Sequence, residues 1–160
     1  MAGLLPGSAH AGTCTASAPT WKNFPMTAQS GKFRVDFDAI PSGTTVNGIT
    51  TLSAASGTTF PAHSILVRFS LDGKIDARNG GSYAASSPIY YQAGKSYHFR
   101  LEVDVPAHMY SVYVTPAGAP EISVGTNFAF RTEQNQVQAC QLGAFGLNTI
   151  PNRTRPVISK

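Results

Sequence analysis

Between Tyr97 and Val114 the chain alternates apolar and polar side chains, and the rest of the sequence is best read from that stretch. Tyr97, Phe99, Leu101, Val103 and Val105 stand at every second position, with His98, Arg100, Glu102 and Asp104 between them. Side chains in a strand point to opposite faces in turn, so this is a strand with one oily and one charged face. Pro106-Ala107-His108 interrupts it, because proline cannot donate to a sheet ladder and suits a turn. Met109 to Val114 resumes, with Tyr110, Val112 and Val114 on one face and Ser111 and Tyr113 on the other. The spacing predicts a β-hairpin.

The same period recurs elsewhere. Phe33 to Ile40 sets Phe33, Val35, Phe37 and Ala39 against Arg34, Asp36 and Asp38. Shorter strands are expected at Gly48–Ser53, Ile65–Ser70, Lys74–Arg78, Ser82–Ala85, Ile89–Tyr91, Glu121–Val124 and Asn127–Arg131, with a last one inside Val137–Leu147. Leu71-Asp72-Gly73 and Asn79-Gly80-Gly81 read as turns between them. No long segment shows a helical period. Many short strands separated by frequent turns predict an all-β, two-sheet antiparallel β-sandwich of the jelly-roll kind. The expected organisation is a flexible segment or signal remnant over 1–19, one sandwich domain over 20–148, and a tail over 149–160.

Composition narrows the class. Charged residues are only 12% of the 160, and there are 15 glycines and 11 prolines. That is a turn-rich composition of extracellular character. The net charge of +4 is scattered, with no run of three basic residues, so nucleic acid is not an expected partner. No apolar stretch is long enough to span a bilayer. Ala9-His10-Ala11 after Leu4-Leu5 fits the end of a secretory signal, so an extracellular location is expected. The two cysteines, Cys14 and Cys140, are too far apart for a metal or redox pair. Two readings stand: a disulfide between the ends of the domain, or two free buried thiols.

The charges carry the candidate chemistry. Of the 13 charged residues between 32 and 104, eleven fall in the expected strands and tight turns: Arg34, Asp36, Asp38, Arg68, Asp72, Lys74, Asp76, Arg78, Arg100, Glu102 and Asp104. One reading is a solvated outer face with cross-strand ion pairs. The other is a polar face that grips a hydroxyl-rich ligand, with Tyr83, Tyr90, Tyr91 and Tyr113 offering flat rings with a polar tip. Trp21, the only tryptophan, either anchors the core edge or stacks on a sugar. The polar loop Arg131–Gln136 lies between two strands, where binding residues gather.

The run YYQAGKSYHFRLEVDVPAHMYSVYVTPAG, with KIDARNGGSYA before it and NFAFRTEQ after it, resembles the laminin-G/concanavalin-like superfamily over about Phe33 to Leu147. The resemblance implies a jelly roll with a carbohydrate-binding concave face and, in some members, a calcium ion at the rim. Retaining glucanases of this superfamily carry Glu-x-Asp-x-x-Glu. Here Glu102-Val103-Asp104 begins that motif, but Ala107 stands where the second glutamate would be. The Gln-x-His strand motif of alginate-lyase-type members is also missing.

Three functions follow as expectations. The first is a secreted, non-catalytic polysaccharide-binding module, suited by its positive charge to an anionic glycan. Its ligand contacts would be Arg78, Tyr83, Arg100, Tyr113 and Arg131. The second is a polysaccharide lyase, with His98 or Tyr113 as base and Arg100 neutralising the sugar carboxylate. The third is a structural or adhesive surface domain. No cofactor and no metal ligands are expected, although Asp72-Gly73 and Asn79-Gly80-Gly81 could offer oxygens to a structural calcium. His10, His63, His98 and His108 are too dispersed for a zinc site. The chain is expected to act as a monomer.

Overall fold

The computed structural model describes residues 21–135, together with the strand backbones at 13–14, 142–148, 153–154 and 157–159. The strands are β1 (Thr13–Cys14), β2 (Lys22–Gln29), β3 (Lys32–Ala39), β4 (Gly48–Ser53), β5 (Ile65–Phe69), β6 (Ile75–Asn79) and β7 (Ser82–Ala84). They continue with β8 (Tyr97–Asp104), β9 (Met109–Pro116), β10 (Ile122–Ala129), β11 (Leu142–Asn148), β12 (Arg153–Thr154) and β13 (Val157–Ser159). Two single turns of 3-10 helix, Phe60–Ala62 and Thr132–Gln134, interrupt the loops.

The strands form two antiparallel sheets. The first runs β1-β12-β3-β8-β9-β10, with β13 also pairing β3; the second runs β2-β11-β4-β5-β6-β7. The chain is thus the two-sheet sandwich that its alternation predicts. Period-two patterning is the cause: inward rows of both sheets meet in one core. Phe33, Val35, Phe37, Phe99, Leu101, Val112 and Val114 come from the first sheet, and Leu52, Ile65, Val67, Phe69 and Ile75 from the second; all are buried. Phe99 stacks on Phe37 at 5.1 Å and meets Phe69 edge-on at 5.7 Å, joining the layers. Burying one such ring contributes roughly 1.5–3 kcal/mol.

The β8–β9 hairpin pairs Tyr97 with Pro116 through Asp104 with Met109. In its turn the Ala107 N–H donates to Asp104 Oδ1 at 3.1 Å.

Three local differences separate structure from expectation. Lys22–Gln29 is a strand, although Pro25 and its weak alternation gave no such signal. Ile89–Tyr91 is no full strand; only Tyr90 bridges Lys74. The two strands expected over 121–131 are one, β10, with register shifts on either side of Gly125. A Cβ at Gly125 would lie 2.1 Å from the Phe128 ring, so the shift needs glycine there. Strand pairing also runs past residue 148, since β12 and β13 both join β3. The side chains of the expected Cys14–Cys140 pair lie outside the described residues.

Candidate functional site

The outer face of the first sheet carries the charged row of the hairpin. Register brings Asp36 opposite Arg100 and Asp38 opposite His98. Almost every charge there has a partner. Arg34 grips both oxygens of Asp36 at 2.6 Å. His98 sits between two carboxylates, with Nδ1 2.8 Å from Asp38 Oδ1 and Nε2 3.2 Å from Asp36 Oδ1. Arg100 donates to both oxygens of Glu121 at 2.8 and 2.7 Å, and also to Glu102. Its guanidinium carbon lies 4.0 Å over the Tyr113 ring. The Glu121 hydrogen bond keeps the Arg100 pKa above its usual value even though burial opposes this, and it pulls Glu121 below the usual carboxylate range. With the Lys32–Asp104 pair, three cations face five carboxylates among the described residues, an acidic excess. A hollow of about 400 Å³ at its far end is lined by Lys32, Arg34, Glu102 and Asp104, two cations and two anions.

The outer face of the second sheet is built differently. Its β2–β4 half lies under the loop that follows β4. Asn23 Nδ2 donates to the Gly57 carbonyl at 2.9 Å and its Oδ1 accepts the Gly57 N–H at 3.1 Å. Trp21 stacks on His63 at 4.0 Å and meets Phe60 edge-on at 5.4 Å. Ile49, Thr51 and Leu66, which point away from the central core, are therefore buried as well. His63 is fully buried, and neither ring nitrogen has a hydrogen-bond partner among the described residues. Burial, helped by the Arg131 charge, lowers its pKa to about 4, so it is neutral in the folded protein at pH 7.

The other half, over β5–β7, stays open and carries a cluster around Tyr83. Arg68 holds Asp76 through two hydrogen bonds of 2.8 and 2.7 Å, and its guanidinium carbon lies 3.7 Å over the Tyr83 ring. Arg78, opposite Tyr83 in the ladder, lies 5.2 Å from the ring centroid. Arg131 reaches this end because its N–H donates to the Ser64 carbonyl at 2.8 Å and Thr132 N–H donates to that of Gly80. Arg131 pairs with Glu133, the Nη2–Oε1 bond being 3.2 Å. Arg78 is different. Its Nε and Nη2 donate to the carbonyls of Gly80 and Gly81 at 2.9 and 2.7 Å, and no carboxylate pairs with it among the described residues. Its other three N–H groups make no hydrogen bond among the described residues, and no ion pair offsets its charge there. Arg68, Lys74, Arg78 and Arg131 face Asp72, Asp76 and Glu133, so this face is net positive.

The five expected ligand residues therefore do not form one group. Arg78, Tyr83 and Arg131 converge on the second sheet. Arg100 and Tyr113 stack together on the outside of the first, facing the other way. Arg68, missed as a contact in the sequence, completes the Tyr83 cluster. The signal for it was its place on the outward row of β5, directly across from Asp76. No group of three or more His, Cys, Asp or Glu that could hold a metal occurs among the described residues. Among the same residues, no helix is long and apolar enough to cross a membrane.

No family model matches the chain. Over 103 residues, 60% of its length, the chain is 34% identical to a gellan lyase of a Bacillus species, and it spans 4% of that protein. Among solved structures it is similar to a sialidase, with a TM-score of 0.58 at 12% identity, covering 92% of this chain and 14% of that one. A galectin of Caenorhabditis elegans aligns with a TM-score of 0.54 at 12% identity, over 92% of this chain and 96% of the galectin. A toad ovary galectin in complex with thio-digalactose gives 0.56 at 12% identity, over 89% and 100%. At these identities the likeness is one of fold. It agrees with a two-sheet β-sandwich, without singling out the laminin-G branch.

Proposed function

We propose that the chain is a non-catalytic carbohydrate-binding module that holds an anionic polysaccharide on the open outer face of β5–β7. One observation carries this: the Arg78 guanidinium, beside Tyr83, has no carboxylate partner among the described residues and makes its two side-chain hydrogen bonds to backbone carbonyls alone. A planar cation of that kind suits the carboxylate of an acidic sugar, and hydrogen bonds to charged groups are among the stronger ones. Tyr83, its ring 3.7 Å beneath the Arg68 guanidinium, adds a hydroxyl of the sort that sugars use. The gellan lyase and the galectin in complex with thio-digalactose support a carbohydrate partner. A polymer of this kind would be met outside the cell.

The geometry of the first sheet speaks against a lyase built on His98, Arg100 and Tyr113. Elimination needs a base free to take a proton and a cation free to meet the sugar carboxylate. His98 is clamped between Asp36 and Asp38, and Arg100 is held by Glu121, Glu102 and the Tyr113 ring.

Affinity electrophoresis in gels containing gellan, polygalacturonate or neutral dextran tests the proposal, with absorbance near 235 nm followed in parallel. Retardation by the acidic polymers without unsaturated product is expected. Release of unsaturated product, or equal retardation by dextran, would overturn it.

A further inference from the structure

We infer that the binding face continues along β6 to a second aromatic station at Tyr90, so that the module takes an acidic polysaccharide lengthwise, as a chain. This rests on the reading of Arg78 and Tyr83 as a glycan site and adds to it a length and a direction.

The β6 segment sends Ile75 and Ala77 into the core and Lys74, Asp76 and Arg78 outward. Arg78 faces Tyr83 across the ladder, and Lys74 faces Tyr90. The Ile75 N–H donates to the Ile89 carbonyl at 2.8 Å and the Tyr91 N–H to that of Gly73 at 3.0 Å. That pattern is the narrow kind of antiparallel pair, which brings the facing side chains closest and to one side of the sheet. Ile89 and Tyr91, on either side, are buried, so Tyr90 must project outward, and 68% of it is exposed. Lys74 Nζ lies 5.8 Å from its ring centroid. Each tyrosine thus stands opposite a cation on the outward row of β6, Arg78 held by two glycine carbonyls and Lys74 paired with Asp72 at 2.9 Å.

The backbone under Tyr90 is firmly held. The Tyr91 hydroxyl donates to the Ser70 carbonyl at 2.6 Å and accepts the Val46 N–H at 3.1 Å. Gly73, at φ +79°, closes the β5–β6 turn beside it. A large, mostly exposed ring on a rigid support is what a ligand platform requires: it loses little freedom on binding. Leu71, 63% exposed in the same turn, adds apolar surface at this end. From Lys74 to Arg78 is four residues of strand, about 13 Å. That exceeds one sugar ring, so a single sugar would reach only one station and an oligomer would reach both. Between them Asp76 is already neutralised by Arg68, so it does not repel a polyanion.

The test is isothermal titration with size-fractionated oligosaccharides cut from gellan and polygalacturonate, on the wild-type chain, Tyr83→Ala, Arg78→Ala and Tyr90→Ala. Because Tyr90 is exposed, its replacement leaves the core intact, which circular dichroism and the melting curve will verify. Wild-type affinity should rise with oligomer length up to the span of both tyrosines. Tyr90→Ala should remove that rise, weakening long oligomers by about tenfold while leaving the shortest unchanged. If Arg78→Ala and Tyr83→Ala abolish binding but Tyr90→Ala does nothing to long oligomers, the extended site is wrong and the glycan site stands. If Tyr90→Ala weakens short and long alike, the two-station geometry is wrong. If the wild type binds none of the fractions, the glycan site itself falls and takes the second station with it.

Discussion

The outer faces of the two sheets are made from the same ingredients, arginine, carboxylate and tyrosine, and yet they are chemically opposite. On the first sheet Arg34 and Arg100 are satisfied within the protein, and among the described residues carboxylates are left in excess. On the second, Arg68 and Arg131 have carboxylate partners, but Arg78 spends its hydrogen bonds on two glycine carbonyls. The difference does not come from residue counts. It comes from whether the ladder places a carboxylate in reach of a guanidinium or only backbone. A self-paired guanidinium is held in place by its carboxylates; an unpaired cation on a rigid strand is available to a ligand.

Three measurements sharpen or break that contrast. The largest effect is expected from acid. His63 holds the covered half of the second face as a neutral ring, with a folded pKa of about 4 against 6.5 for the free side chain. Its folded value is the lower one, so the unfolded chain takes up the proton first. Stability is therefore full above pH 6.5 and falls as pH drops from 6.5 towards 4, by at most about 3 kcal/mol. Urea midpoints across that range should show this slope in the wild type and lose it in His63→Leu. Equal slopes would remove His63 from the account. The carboxylates of the first face have depressed values, Glu121 from 4.5 through its Arg100 hydrogen bond and Asp36 from 3.8, where Arg34 and His98 outweigh burial. Their contributions persist above those values and are lost only at lower pH. The second face should therefore loosen before the first.

Next in size is Arg78→Ala, expected to weaken binding to the acidic polymer by about 2 kcal/mol, roughly thirtyfold, with little change in melting temperature. A variant that binds normally would show that the unpaired charge is idle.

The smallest effect is expected from Arg100→Ala. It leaves Glu121 and Glu102 without their cation, but these are solvent-accessible, so the loss of stability should stay near 1 kcal/mol or less. Glycan binding should not change. A large fall in affinity in this variant would move the site to the first sheet and reverse the comparison.

The sequence carries much of this and misses the rest for identifiable reasons. The β8–β9 hairpin and β3 are legible because strict alternation is a local property: Phe33, Val35 and Phe37 declare their face without help from elsewhere. Strand β2 is not, since Lys22–Gln29 contains Pro25 and owes its pairing to β11, more than a hundred residues away. The break at Gly125 was visible as a weak point in the pattern. Whether it ends a strand or shifts its register depends on the Phe128 ring and on Asn127 at φ +53°, which only the packed structure shows. The candidate site divides for a related reason. Alternation says that Arg78, Tyr83, Arg100 and Tyr113 all point outward, but not from which sheet. Sheet membership is set by long-range pairing, so residues that look equivalent along the chain end on opposite sides of the molecule.

The side of the sandwich where β10 borders β6 and β7 has a consequence of its own. Gly80 N–H donates to the Ala129 carbonyl at 3.1 Å, Ser86 N–H to that of Val124 at 2.7 Å, and Asn79 Oδ1 accepts the Ala129 N–H at 2.9 Å. These bonds stitch the rims of the two layers together with the very groups that a bare rim would offer to a foreign strand. On this side of the sandwich a foreign strand therefore finds fewer free groups to pair with, which closes one common route to fibrous self-assembly.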